Sequence, residues 1–182
     1  MIIVVCGPGG VGKGTVVARL VAADPRLWLS RSWTTRAQRP GERDDAYTYV
    51  DRATFEARVA ADGFLEHAEF LGNLYGTPWP EASDDRDVVL EIDVQGAEQV
   101  IGRVPEPDRL FILLEPPSPE VQAERLRGRG DPPEQAEERI RVAQGEIDRA
   151  RALHAISIVN DDLDRTVAEV QGLIDEARAG DR

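Results

Sequence analysis

Ile2-Ile3-Val4-Val5-Cys6-Gly7-Pro8-Gly9-Gly10-Val11-Gly12-Lys13-Gly14-Thr15 decides the fold. Five consecutive apolar residues, mostly β-branched, have the pattern of a strand buried on both faces of a parallel sheet. Glycine follows at once, and Val16 to Ala23 has a composition that suits a helix docked on that sheet. Strand, glycine loop and helix in this order form a phosphate cradle. Inward-pointing backbone N–H groups and the positive end of the helix hold phosphate oxygens, and the Lys13 ammonium reaches the outer ones. A plain glycine-rich turn would not need the Gly-Lys pair at this spacing. Gly7, Pro8, Gly9, Gly10, Val11, Gly12, Lys13, Gly14 and Thr15 are therefore the candidate nucleotide-phosphate residues. Gly14 stands where the pattern has Ser or Thr, so the hydroxyl that meets Mg²⁺ is missing there. Thr15 is one position late, about 100° further around the helix, and is aimed at an inner phosphate instead.

Working outward, similar buried strands recur at Asp87 to Ile92 and at Leu110 to Leu114, with helical segments at Gln95 to Arg103 and Pro119 to Arg127. That alternation predicts an α/β fold with a parallel sheet flanked by helices. The stretch from about Ser32 to Asp85 breaks it: Tyr47 to Val50 alternates, a helix is expected near Thr54 to Ala61, and Phe64 to Phe70 is an extended run. It is expected to be an inserted subdomain. Glu134 to His154 is charged and helical, Ile156 to Val159 is a last short strand, and Leu163 to Ala179 has apolar residues at helical spacing.

The 182 residues and 41% hydrophobic content support one core with excursions rather than two independent cores. A formal charge of −12 spread along the chain gives an average field that repels nucleic acid and anionic membranes, so any polyanionic ligand must be held by local arginines. Cys6, the single cysteine, rules out an internal disulfide and suits a reducing compartment. No apolar run approaches a membrane-spanning length, and the expected location is the cytoplasm.

A second motif, Ser32-Trp33-Thr34-Thr35-Arg36-Ala37-Gln38-Arg39-Pro40-Gly41-Glu42, places two guanidiniums three apart before a Pro-Gly turn, a candidate bidentate phosphate clamp as well as a plain solvated basic loop. Further on, Glu66 and Gly72-Asn73-Leu74-Tyr75-Gly76-Thr77 supply a carboxylate, a phenol and a hydroxyl that could meet a purine edge. Trp28, Trp33 and Trp79 are expected to pack, and His67 and His154 lack metal-ligand spacing.

Across nearly its whole length the chain resembles the guanylate kinase family. The resemblance rests on Gly7 to Thr15, Ser32 to Glu42, Tyr47 to Val50, Phe64 to Thr77, Glu91-Ile92-Asp93-Val94-Gln95-Gly96, Arg125 to Gly130 and Val159-Asn160-Asp161-Asp162, in family order. It implies a P-loop core (residues 1–31, 86–124 and 155–182), a GMP-binding subdomain (32–85) and a lid (125–154). It also implies transfer of the γ-phosphate of ATP to GMP, with Mg²⁺ as cofactor. Carried over residue by residue, Arg36, Arg39, Tyr47 and Tyr75 would hold the GMP phosphate, and Ser32, Glu66, Thr77 and Asp93 would surround the guanine. Arg125, Arg129 and Arg139 would close over the transferring group, and Asn160 would lie beside the adenine. Lys13, Arg36, Arg129 and Arg139 are the implied catalytic set. Glu91 and Asp93 are expected to orient the metal through water, the extra methylene of Glu91 over an aspartate compensating for the hydroxyl absent at Gly14. The Pro78 to Asp87 stretch looks shortened, as does the Glu42 to Tyr47 loop. Two other readings share these motifs: a kinase of ribose bisphosphate type, which would lose the guanine set, and a phosphopeptide-binding module, which would have lost the P-loop.

Overall fold

The computed structural model describes residues 1–39, 41–80, 86–130 and 132–180. In chain order the elements are β1 (Ile2–Cys6), α1 (Lys13–Ala23), β2 (Leu27–Leu29), β3 (Trp33–Thr34), β4 (Thr48–Tyr49), α2 (Arg52–Ala60), β5 (Phe64–Phe70) and β6 (Asn73–Pro78). They continue with β7 (Asp87–Glu91), α3 (Val94–Arg103), β8 (Arg109–Glu115), α4 (Pro119–Gly128), α5 (Pro133–Ala152), β9 (Ile156–Val159) and α6 (Leu163–Gly180).

Five strands form the main sheet in the order β2-β7-β1-β8-β9, and every pairing in it is parallel. The unbroken apolar run of β1 follows from that position. Ile3 and Val5 point to one face and pack with Val17 and Leu20 of α1 and Val170 and Ile174 of α6. Val4 and Cys6 point to the other and pack with Val94, Ala97 and Val100 of α3 and Ile147 and Ala150 of α5. A strand covered by helices on both sides has no solvent face to place polar residues on, so the alternation disappears. The P-loop thus leaves the centre of a three-layer sandwich, at the carboxyl end of its strand.

An ionic network fastens the last helix to the sheet edge. Arg178 donates from Nε to Asp87 Oδ2 (2.7 Å) and from Nη1 to Asp24 Oδ2 (2.7 Å), and the Met1 ammonium donates to Asp87 Oδ1 (3.0 Å). The Arg26 and Arg178 guanidiniums hold the Asp24 carboxyl well below the usual carboxylate range. Because Asp24 is buried, removing a partner leaves a carboxylate out of water. Arg178→Ala is expected to lower the unfolding free energy by about 2 kcal/mol, read from the denaturant midpoint, while the folded protein keeps its activity. The Asp24 contribution is present above its unfolded value and fades as the pH falls through the carboxylate range, so the difference between the two proteins shrinks in acid.

The insertion builds its own sheet, β4-β3-β6-β5, with β3 parallel to β4 and antiparallel to β6, and β5 antiparallel to β6. Asp51 caps α2 by accepting from Thr54 N (2.7 Å), and Phe55 of that helix stacks on Phe64 at 4.6 Å. A register shift between Phe64 and Glu66 sends Leu65 into the main core while Phe64 stays with Phe55. Two side chains of α3 hold the insertion by its backbone: Gln99 exchanges hydrogen bonds with His67 N (3.2 Å) and O (2.7 Å), and Arg103 donates to Phe64 O (3.0 Å) and Leu65 O (3.1 Å).

Trp33 packs edge-on against Phe64 (5.8 Å) with Arg58 over its ring (4.5 Å), which makes it a structural residue. Trp28 packs on the main core, whereas Trp79 is 43% exposed and donates from Nε1 to Asp62 O (3.2 Å). Of the stretch Pro78 to Asp87, residues 81–85 lie outside the described residues, as does Pro40 of the clamp motif.

Candidate active site

The glycine loop opens α1 and is braced from behind. Asn160 Nδ2 and Arg125 Nη1 both donate to Val11 O (2.8 and 3.0 Å), Arg125 Nη2 donates to Asn160 O (2.9 Å), and Gln122 Nε2 donates to Gly9 O (2.7 Å). Gly12 takes φ +96°, and a Cβ there would lie 2.7 Å from Asn160 Nδ2, so both the backbone and the brace require glycine. Inside the loop, Lys13 Nζ donates to Gly7 O (2.7 Å) and Pro8 O (3.3 Å). The ammonium therefore lies along the concavity that phosphate oxygens would fill.

Gly14 faces Glu91 at the end of β7. A Cβ at position 14 would stand 3.2 Å from Glu91 Oε1 and 3.4 Å from Oε2, so the carboxylate occupies the space where a P-loop hydroxyl side chain would begin. Burial pushes the Glu91 carboxyl up, and the charges of Lys13 and Arg129 draw it back. Asp93, two residues on, caps α3 by accepting from Gly96 N (2.8 Å). The resemblance gave Asp93 a guanine and a metal role; the cap is an additional, structural one.

The clamp arginine is already gripped. Arg36 makes a bidentate pair with Glu42 (Nη2 to Oε1 2.7 Å, Nη1 to Oε2 3.0 Å), and the Arg39 amide donates to the same Oε2 (3.0 Å). Burial alone would raise the Glu42 carboxyl, but the Arg36 and Arg39 donors bring it down to about 2. Arg36 also lies over the Tyr47 ring (5.4 Å), and Tyr47 meets Tyr75 edge-on at 6.2 Å. Burial and the negative charge of Glu91 push the Tyr47 phenol up to about 12, which keeps it a hydrogen-bond donor.

A polar row lies on the other side. Ser32 Oγ and Thr77 Oγ1 are 3.1 Å apart, and Thr77 Oγ1 donates to Glu66 Oε1 (2.5 Å). Glu66 is 4% exposed, and its other oxygen lies at the N-terminus of α3, where a Cβ on Gly96 would come within 2.6 Å of it. Burial raises this carboxyl to about 7, the Asp93 charge adding to the effect and the Thr77 hydroxyl opposing it. The structure thus brings Ser32, Glu66, Thr77 and Asp93 together at one end of α3, and Arg36, Arg39, Tyr47 and Tyr75 together at the clamp.

From the far side come α4 and α5. Arg129 ends α4 and its charge acts on Glu91. Arg139 lies along Gly9: a Cβ there would be 2.8 Å from its Nη1. Glu146 lies two turns after Arg139, 9% exposed, with burial raising its carboxyl and Lys13 lowering it. Neither Glu146 nor Gln122 was singled out from sequence. Both are polar residues among the apolar positions of a helix face, Gln122 beside Ala123 and Leu126 and Glu146 beside Ala143, Ile147 and Ala150, and that mismatch was the available signal.

The family profile described as guanylate kinase matches residues 1–177. The chain belongs to the guanylate kinase family. It is 46% identical over 181 residues to a guanylate kinase of Thermus thermophilus, covering 96% of this chain and 80% of that protein. It is 43% identical over 177 residues to that of Parasynechococcus marenigrum, covering 94% and 96%. The crystal structure of guanylate kinase from Anaplasma phagocytophilum superposes with a TM-score of 0.75 at 29% identity, covering 97% of this chain and 85% of that one. A gluconokinase from Sinorhizobium meliloti, 16% identical with a TM-score of 0.53, shares the fold alone. Guanylate kinases are nucleoside monophosphate kinases, so the chain is a phosphotransferase enzyme of P-loop type.

Proposed function

We propose that the chain transfers the γ-phosphoryl group of ATP to GMP, giving ADP and GDP, in the cytoplasm. The observation that carries this reading is the buried Glu66–Thr77–Ser32 row beside the phosphate clamp and the glycine loop. A carboxylate there can accept from guanine N1–H and the 2-amino group together, a donor pair that adenine does not have.

In this reading Gly7 to Thr15 cradle the donor phosphates, Arg125 and Asn160 brace that cradle on the adenine side, and Lys13 turns from the Gly7 and Pro8 carbonyls to the outer phosphates. Arg36, Arg39, Tyr47 and Tyr75 hold the acceptor phosphate, and Glu42 keeps the Arg36 fork oriented. The acceptor oxygen is anionic near neutral pH, so no general base is required. What remains is alignment of donor and acceptor and neutralisation of charge on the equatorial oxygens by Lys13, Arg36, Arg129 and Arg139. Residues 32–85 act as the GMP-binding subdomain and 125–154 as the lid. Because Ile147 and Ala150 sit in the main core, the part that moves is the stretch before them, which carries Arg129 and Arg139.

Mg²⁺ fits this site in a limited way. Among the described residues no cluster of three or more His, Cys, Asp or Glu could hold a metal by itself. Glu91 against Gly14, with Asp93 nearby, would hold an ion that arrives with ATP and keeps most of its water. Bound there, the ion supplies charge neutralisation at the donor phosphates. Among the described residues no helix is long and apolar enough to cross a membrane.

A coupled ADP-release assay with MgATP against GMP, AMP, UMP and ribose 1,5-bisphosphate tests the reading. GMP is expected to exceed the other acceptors by at least about 100-fold in kcat/KM. Equal use of AMP, or turnover of the sugar bisphosphate alone, would sink it.

A further inference from the structure

Phe70 takes no part in the site so far described, yet it touches one of its arginines. It is the last residue of β5 and pairs with Asn73 across a tight turn in which Leu71 and Gly72 have φ +50° and +76°. The Arg139 guanidinium lies over its ring, Cζ 4.8 Å from the centroid. The same side chain runs along Gly9, where a Cβ would fall 2.8 Å from Nη1 and 3.2 Å from Cδ. One arginine of α5 therefore spans the phosphate loop and the insertion, and the insertion's share of the contact is an aromatic ring.

The chemistry of that ring matters. An aromatic ring attracts the face of a guanidinium, so Phe70 can position Arg139 without itself competing for the in-plane N–H groups that phosphate oxygens use. We propose that Phe70 is a positioning residue for phosphoryl transfer, an aromatic seat that holds Arg139 beside Gly9 and makes its placement depend on the insertion that carries the ring. The inference rests on the reading above, in which Arg139 neutralises charge on the transferring group. Because Phe70 travels with the GMP-binding strands, the seat is complete only when those strands stand where the structure has them. The arrival of the acceptor and the placement of the arginine become one event.

The test is a double-mutant cycle with kcat and KM measured for GMP and ATP. Phe70→Leu keeps apolar bulk and removes the ring's quadrupole. It is expected to lower kcat about 5- to 20-fold, the size of a partly desolvated cation–π contact, with both KM values within about twofold and little change in the thermal midpoint. Phe70→Tyr is expected to restore most of kcat. In an Arg139→Ala background the Leu substitution is expected to change kcat no further. An unchanged kcat in Phe70→Leu, or an equal loss in the Arg139→Ala background, overturns the proposal. Wild-type protein that turns over no GMP would remove the underlying reading and this one with it; active wild type with additive losses removes this one alone.

Discussion

Lys13→Ala is expected to lower kcat for GMP phosphorylation about 1,000-fold, with a smaller rise in the KM for ATP. The glycine loop offers backbone N–H dipoles, but Lys13 is its only cationic side chain. A preorganised donor aimed at developing charge is worth about 10²- to 10³-fold in rate, and a full charge lies at the upper end. In the structure the ammonium rests on Gly7 O and Pro8 O, two neutral acceptors that it can leave for phosphate oxygens at little cost. Lys13 also offsets burial at Glu91 and Glu146, so its removal is expected to lower the thermal midpoint too. The two effects separate cleanly. Lost stability alone reduces the amount of folded enzyme, whereas single-turnover transfer by protein titrated with a tight-binding nucleotide reports the chemical step. A single-turnover rate within about tenfold of wild type would show that the lysine binds donor phosphate without acting on the transition state.

The core was legible because burial on two faces leaves a plain trace. Runs such as Ile2 to Cys6 and Leu110 to Leu114 have no polar interruptions, since every side chain in them meets a helix. β2, β3 and β6 were not read as strands. Leu27–Leu29 is an edge strand of three residues and Trp33–Thr34 has only two, too short for period-two alternation to show, and Asn73–Pro78 owes its extended shape to pairing with β3 and β5. At the site, the sequence picked out Arg36, Glu66 and Thr77 as candidates but not the contacts they make with one another or with Glu42. Glu42 could be read as the end of a turn motif, yet its bidentate grip on Arg36 depends on how the turn folds back. Asp93 differs: its cap on α3 is local, and an Asp just before a helical segment is a cap pattern, but the helix was read from Gln95, one residue late. The contact of Phe70 with Arg139 joins positions far apart in sequence, and no pattern in either segment announces it.

Glu66→Gln is expected to lower kcat/KM for GMP by about 10²- to 10³-fold and to flatten its dependence on pH. In wild type the carboxyl titrates at about 7, raised first by burial and further by Asp93. Guanine donates two hydrogen bonds to it, which requires the ionised form. As the pH falls below that value the free enzyme protonates Glu66, and KM for GMP is expected to rise toward about tenfold per pH unit while kcat at saturation stays level, since bound guanine keeps the carboxylate ionised. Stability moves the opposite way. A carboxyl whose folded value lies above its unfolded one favours the fold fully below the unfolded value near 4.5, and that favour is lost as the pH rises through about 7. Above that range the wild type keeps a buried negative charge that the Thr77 hydroxyl only partly offsets, at a cost of about 3 kcal/mol. Glutamine carries no such charge, so at about pH 8 the Glu66→Gln variant is expected to melt several degrees higher than wild type, with the gap closing in acid. Its amide N–H₂ meets the guanine 2-amino group donor to donor, which is why the more stable protein is the poorer binder. Kinetic profiles and melting curves from about pH 5.5 to 8.5 check both halves. A flat KM profile in wild type, or a Glu66→Gln variant that melts lower at high pH, would show that Glu66 is not the buried, charge-strained acceptor that selects guanine.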